Sequence, residues 1–168
     1  MRKGFGRIAV AALLLVLAAC DPQRVSELEE GLATEADVRA RFGEPEKIWD
    51  APGGGRTFEY SRQPAGTKNY MITIGADGKM SALRQVLTPQ NFAKVVPGMM
   101  MEDVRKMLGK PMRVTTFELK QQTHYDWRYA DGVNLSDSKI FTAVFDADLR
   151  VVSTGSASDP DAEKSNRR

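Results

Sequence analysis

The stretch TPQNFAKVVPGMMMEDVRKMLGKP, residues 88–111, decides how the chain is read, because DPQRVSELEEGLATEADVRARFGEP, residues 21–45, echoes it. Asp21-Pro22-Gln23 answers Thr88-Pro89-Gln90, and Val25, Leu28 and Gly31 answer Phe92, Val95 and Gly98. One residue is then lost from the later copy. After it, Asp37-Val38-Arg39 matches Asp103-Val104-Arg105, Gly43 matches Gly109, and Pro45 matches Pro111. An ordered set of matches with small gaps marks an internal repeat. Each copy opens as two short helices. Asp21 and Thr88 are N-cap residues followed by proline, which suits the first helical position. Val25 with Leu28, and Phe92 with Val95 and Val96, form apolar stripes at helical spacing, ended by Gly31 and Gly98. Thr34 starts the next helix, with Asp37 three residues on as a near capping box. Its inward face is Val38 and Phe42. In the later copy that face is Val104, Met107 and Leu108, and Met100 stands where a cap belongs, so this helix end is expected to fray more. Gly43 and Gly109, each followed two residues later by proline, stop the second helices.

Downstream the apolar period changes to two. Phe58 and Tyr60 alternate with Thr57 and Glu59, and Tyr70, Ile72 and Ile74 with Met71 and Thr73. Ala76-Asp77-Gly78-Lys79 is a hairpin turn into residues 80–86. The later copy gives Tyr125, Trp127 and Tyr129, then residues 141–145 and 149–153. Phe58-Glu59-Tyr60 aligns with Trp127-Arg128-Tyr129, and Ile74-Gly75-Ala76-Asp77 with Phe145-Asp146-Ala147-Asp148. The fold class is therefore α+β: two tandem α-α-β-β-β units, residues 21–87 and 88–154, each two short helices packed on a three-stranded antiparallel sheet. Residues 155–168 show no apolar periodicity and are expected to be a disordered tail.

The N-terminus carries a different message. Arg2, Lys3 and Arg7 precede an apolar run from Ile8 to Leu17, and Ala18-Ala19 leads to Cys20, the single cysteine among the 168 residues. A basic region, a short apolar core and small residues describe a signal peptide over residues 1–19. Leu17-Ala18-Ala19-Cys20 resembles the lipobox of bacterial lipoproteins, which implies cleavage before Cys20 and acylation of its thiol and new amine. The expected partner is thus a lipid bilayer, held through acylated Cys20. Without that leader, 21 of the 24 basic residues and all 22 acidic residues remain. The basic sequence pI of 8.7 belongs mainly to the leader. A nucleic-acid-binding reading loses its electrostatic basis.

The residues Gly98, Met99, Asp103, Val104, Arg105, Leu108, Gly109, Lys110 and Pro111, followed by Trp127-Arg128-Tyr129, resemble the small outer-membrane lipoproteins of the BamE (SmpA/OmlA) family. A more distant resemblance is to the tandem-repeat β-lactamase inhibitor protein fold. The first resemblance implies a non-enzymatic accessory that binds the β-barrel assembly machinery from an outer-membrane, periplasm-facing position. The second keeps open a proteinaceous inhibitor of a periplasmic or secreted hydrolase. Asp21 reads either as a plain N-cap or, as in some Gram-negative lipoproteins, as a signal for inner-membrane retention.

The chemistry-bearing residues favour binding over catalysis. His124 is the single histidine and is expected on the solvent side of its strand. No nucleophile elbow, P-loop or HExxH motif occurs, and no metal or other cofactor is expected. Asp77-Gly78 and Asp146-Ala147-Asp148 read as hairpin turns, and Gly53-Gly54-Gly55-Arg56 as a loop. Aromatic, methionine and arginine side chains are common interface anchors. The candidate partner-binding residues are accordingly Trp49, Arg56, Met100 and Met101, while Trp127 is expected in the core.

Overall fold

The computed structural model describes residues 25–132 and 138–165. Residues 1–19, Cys20, and the cap expected at Asp21 lie outside them. Helix α1 (Glu35–Phe42) starts at the expected capping box. The Thr34 hydroxyl accepts from the Asp37 N–H at 3.2 Å, and the Asp37 carboxylate accepts from the Thr34 N–H at 2.9 Å. These bonds hold the Asp37 carboxyl below its ordinary pKa. Four strands follow, β1 (Lys47–Ala51), β2 (Gly55–Ser61), β3 (Asn69–Ile74) and β4 (Met80–Gln85), paired antiparallel in that order. Val38 and Phe42 from the helix meet Phe58, Tyr60, Tyr70, Ile72, Ile74 and Met80 in one apolar core.

The second half repeats the layout. The Thr88 hydroxyl caps α2 (Pro89–Phe92), and α3 (Met101–Leu108) starts at Met100 with no side-chain cap, as its sequence implied. Strands β5 (Arg113–Phe117), β6 (Gln122–Ala130), β7 (Ser138–Phe145) and β8 (Val151–Ser158) form the second antiparallel sheet. Phe92, Val95, Val104, Leu108, Trp127, Phe141, Phe145 and Val151 fill its core. Phe92 stacks on Phe141 with ring centroids 4.2 Å apart. Val96, expected on the buried stripe, is instead exposed, because α2 ends at Phe92 and the chain turns away.

Four features correct the sequence reading. Each sheet has four strands, not three. The additional strands are β1 and β5, at the sheet edges. They pair through backbone on one side only, and their side chains are mostly solvent-facing, so no period-two apolar signal betrays them. The tail is also ordered over its described part. β8 runs to Ser158, and Pro160–Ser165 forms α4. The Asp159 carboxylate fixes this segment to Arg128 at 2.5 Å and to the Ser138 hydroxyl at 3.0 Å.

The third correction concerns how the copies align. Tyr60 pairs with Tyr70 across the first sheet, and Trp127 with Phe141 across the second. Glu46 N–H donates to the Glu59 carbonyl, and Met112 N–H to that of Asp126. Tyr60 Oη donates to the Gly43 carbonyl at 3.0 Å, and Trp127 Nε1 to that of Gly109 at 2.9 Å. Phe58-Glu59-Tyr60 therefore corresponds to Tyr125-Asp126-Trp127, two residues earlier than the motif match with Trp127-Arg128-Tyr129. The slip is even, so each side chain keeps its face. Finally, His124 is half-buried against the Phe117 ring, with centroids 4.5 Å apart, and does not stand free in solvent.

Candidate partner-binding site

Two places in the molecule carry unusual polar or apolar chemistry: the joint between the halves and the tip of the second half. The joint is built on Glu59, which points from the central strand β2 away from its own core. Glu59 is 1% exposed. A buried carboxylate is costly unless donors replace its water. Trp49 Nε1 donates at 3.1 Å, Lys110 N–H at 2.7 Å and Arg105 Nη2 at 3.3 Å. Two of these three donors come from the second half. Asn69 adds bonds from Nδ2 to the Leu108 and Lys110 carbonyls at 2.7 and 2.9 Å. On the other side, Gln63 exchanges hydrogen bonds with the Arg128 backbone, 2.8 Å from Nε2 and 3.2 Å to Oε1. Gly109 sits at this contact with φ 74°, and a Cβ there would lie 3.0 Å from Asn69 Nδ2.

Beside Glu59 lies a cleft of about 460 Å³ whose walls include Lys47, Arg105, Lys110 and Arg113. Lys110 Nζ pairs with Glu46 at 2.9 Å, and Arg113 Nη2 with Asp126 at 2.7 Å. Lys47 lies over the Trp49 ring, 3.8 Å from its centroid.

The tip of the second half is where the chain leaving α2 crosses the β7–β8 turn. Gly98 N–H donates to the Val151 carbonyl, Val151 N–H to Met99, and Met101 N–H to Leu149. The first half makes the same three bonds, from Gly31 to Met80, Met80 to Ala33, and Glu35 to Gly78. On this shared frame the side chains differ. Thr34, Gly78 and Ser81 stand where the second half has Met100, Leu149 and Val152. With Val96, those three exposed apolar residues make up the tip cluster, named for the backbone pairing of residues 98–101 with 149–151. Leu149 holds a left-handed backbone at φ 58°, a conformation that Gly78 adopts in the first half at φ 77°. A branched residue there is both strained and solvent-facing.

The candidate residues separate accordingly. Met100 is exposed in the tip cluster, and Met101 is half-buried beneath it against the second core. Trp49 does not stand free. It is 9% exposed, and its N–H and one ring face are occupied by Glu59 and Lys47. It became buried because β1 pairs with β2 and the second half covers it. Arg56 lies on β2 and pairs with Glu35 at 2.5 Å. Cys20 lies outside the described residues. Reading the sequence alone missed Leu149, Val96 and Val152. The repeat alignment already set Leu149 opposite Gly78, and an apolar residue at a turn glycine was the available signal. Among the described residues, no group of three or more His, Cys, Asp or Glu side chains is arranged to hold a metal.

The match to known proteins falls on this same half. Residues 85–155 match the family described as the outer membrane protein assembly factor BamE domain. That segment contains the whole tip cluster and the second-half side of the joint. No curated protein matches the chain in sequence. A DUF4309 family protein from Bacillus subtilis is similar at 23% identity over 79% of this chain and 82% of that one, with a TM-score of 0.29. A candidate β-lactamase inhibitor protein from Streptococcus mutans is similar at 11% identity over 74% and 82%, TM-score 0.31. An extracellular SCP-domain protein from Bacillus anthracis is similar at 15% identity over 83% of this chain and 53% of that one, TM-score 0.31.

Proposed function

We propose that this chain is a protein-binding accessory of outer-membrane protein assembly, built from two copies of one unit and anchored to the outer membrane, facing the periplasm, through acylated Cys20. The observation that carries this reading is the BamE-domain match at residues 85–155. Its support in the fold is the uneven distribution of apolar surface. Among the described residues, nine large apolar side chains are exposed; Leu32 and Ile48 belong to the first half, and the other seven follow residue 95. Large apolar patches on a protein surface mark contact sites, and Met side chains adapt to varied partners. The second half then presents the partner surface, with Met100 and Met101 in it, and the first half is the spacer next to the anchor. Trp49 and Arg56 serve the fold rather than the partner. The mechanism is positional, since confinement to a membrane raises the local concentration of whatever is bound.

Site-specific photo-crosslinkers tested in cells at Met100 and at its first-half equivalent Thr34 separate the surfaces. Cross-links from Met100 to β-barrel assembly proteins, with few from Thr34, are expected. Cross-links only to a secreted hydrolase, or equal capture from both positions, contradict the proposal. Mass spectrometry of the same native protein tests the anchor: an unmodified Cys20 removes it.

A further inference from the structure

The cleft between the halves is bounded by two sheet edges that no strand covers. β1 pairs only with β2, and β5 only with β6, among the described residues. Arg113 and Val114 project from opposite faces of β5, yet both line the cleft, so the cavity meets this strand at its edge. Glu46 and Lys47 bring the start of β1 into the same lining. An open edge presents unpaired N–H and C=O groups that accept an added strand.

The charge of the cleft is also uneven. Four cations, Lys47, Arg105, Lys110 and Arg113, share it with two carboxylates, Glu46 and Glu59. Both carboxylates are engaged, Glu59 in the joint and Glu46 with Lys110. Lys47 has no carboxylate within ion-pair distance among the described residues, and Arg105 Nη1 is buried without a hydrogen-bond partner. Unused cationic donors thus share the cleft lining with the apolar surfaces of Pro111, Met112 and Tyr125.

We infer that this cleft is a peptide-binding site that takes an extended acidic segment of a partner protein, which adds as a strand to an open edge while its carboxylates meet Lys47 and Arg105 and its alternate apolar side chains face Met112 and Tyr125. A strand has side chains of period two, so an alternating acidic and apolar segment fits both demands at once. This gives a chemical class to the partner of the role proposed above. It is tested on the purified protein, independently of membrane assembly.

The probe is a short, end-capped peptide alternating glutamate and valine, titrated by calorimetry against the purified full chain. Hydrogen exchange is followed at the β1 and β5 amides. Saturable binding, slowed exchange at β1 or β5, and weakening of at least about tenfold by Lys47→Glu, a solvent-exposed position, are expected. Binding should also weaken as salt rises. Equal binding of the lysine–valine counterpart overturns the proposal, as does unchanged affinity in Lys47→Glu. Competition by free glutamate or inorganic phosphate at the same affinity as the peptide shows that an isolated anion is read and no strand is, and overturns it too. If the acidic peptide binds but the cellular cross-links fail, the assembly role falls and this site stands. If cross-links form and the peptide does not bind, only this site falls.

Discussion

Glu59 and Asp126 hold the same place in the two sheets, on the central strand, facing away from the core, each opposite a cation on the edge strand. Asp126 is satisfied locally. Arg113, its cross-strand neighbour, donates through Nε and Nη2 at 2.9 and 2.7 Å, and Thr142 donates at 2.6 Å. Glu59 has Lys47 as its cross-strand neighbour, but Lys47 turns onto Trp49, and donors from the other half take its place. The same position is a closed local pair in one half and a clasp between halves in the other. What differs is the partner supply: a guanidinium fork can close a carboxylate within its own sheet, whereas Lys47 leaves Glu59 open to Arg105 and Lys110.

The strongest way to break this comparison is Glu59→Ala. It strands the Arg105 charge and the Lys110 N–H in a buried contact, and should cost about 3–5 kcal/mol in denaturant unfolding. Asp126→Ala should cost less, about 1–3 kcal/mol, because Arg113 is 59% exposed and returns to water. A larger loss from Asp126→Ala than from Glu59→Ala would reverse the assignment of the clasp.

The helix-stop glycines give a second contrast. Gly43 and Gly109 have matching backbones, at φ 83° and 74°, with ψ near extended. A Cβ meets nothing at Gly43 and meets Asn69 and Met71 at Gly109. Gly43→Ala should therefore cost only backbone strain, on the order of 1–3 kcal/mol, and Gly109→Ala that strain plus displacement at the joint. Equal thermal shifts would mean the halves are not in close contact there.

Acid should loosen the second half at its end first. Burial opposes ionisation of Asp159, but the Asp161 N–H, Arg128 and Ser138 outweigh it and hold the carboxyl below its usual range. A depressed folded-state pKa contributes stability that is complete above the unfolded value, about 3.9, and is lost as pH falls through the folded value. Amides of β8 and α4 should lose protection in that acid window before those of β3, and Asp159→Asn should remove the difference.

The smallest effect is at Leu149. An exposed leucine replaced by glycine ordinarily costs up to about 1 kcal/mol. Here relief of the left-handed strain offsets it, so Leu149→Gly should leave the melting temperature within about 2 °C of the parent's, while reducing cross-linking from Met100. A clear loss of stability would show that Leu149 belongs to the core.

Legibility in the sequence followed burial. The capping box at Thr34, the uncapped start at Met100, the helix-ending glycines and the alternating strands around Phe58, Ile72 and Trp127 were all readable, since each is enforced by a local bond or a buried face. Edge strands β1, β5 and the end of β8 were not, because Lys47–Ala51, Arg113–Phe117 and the serine-rich 153–158 stretch are held by backbone pairing and bury little. Trp49 reads in the sequence as an anchor for a partner protein. That the partner is Glu59 of the same chain depended on the unseen strand. The clasp itself was out of reach, since nothing local relates Glu59 to Lys110.

Glu59 joins the halves, and residue-resolved hydrogen exchange of Glu59→Ala tests that joint most directly. The opening free energies of β2–β3 and β6–β7 are expected to match in the unaltered protein, to separate in this variant, and to match again in Asp126→Ala. Equal opening free energies across both sheets in Glu59→Ala would contradict it.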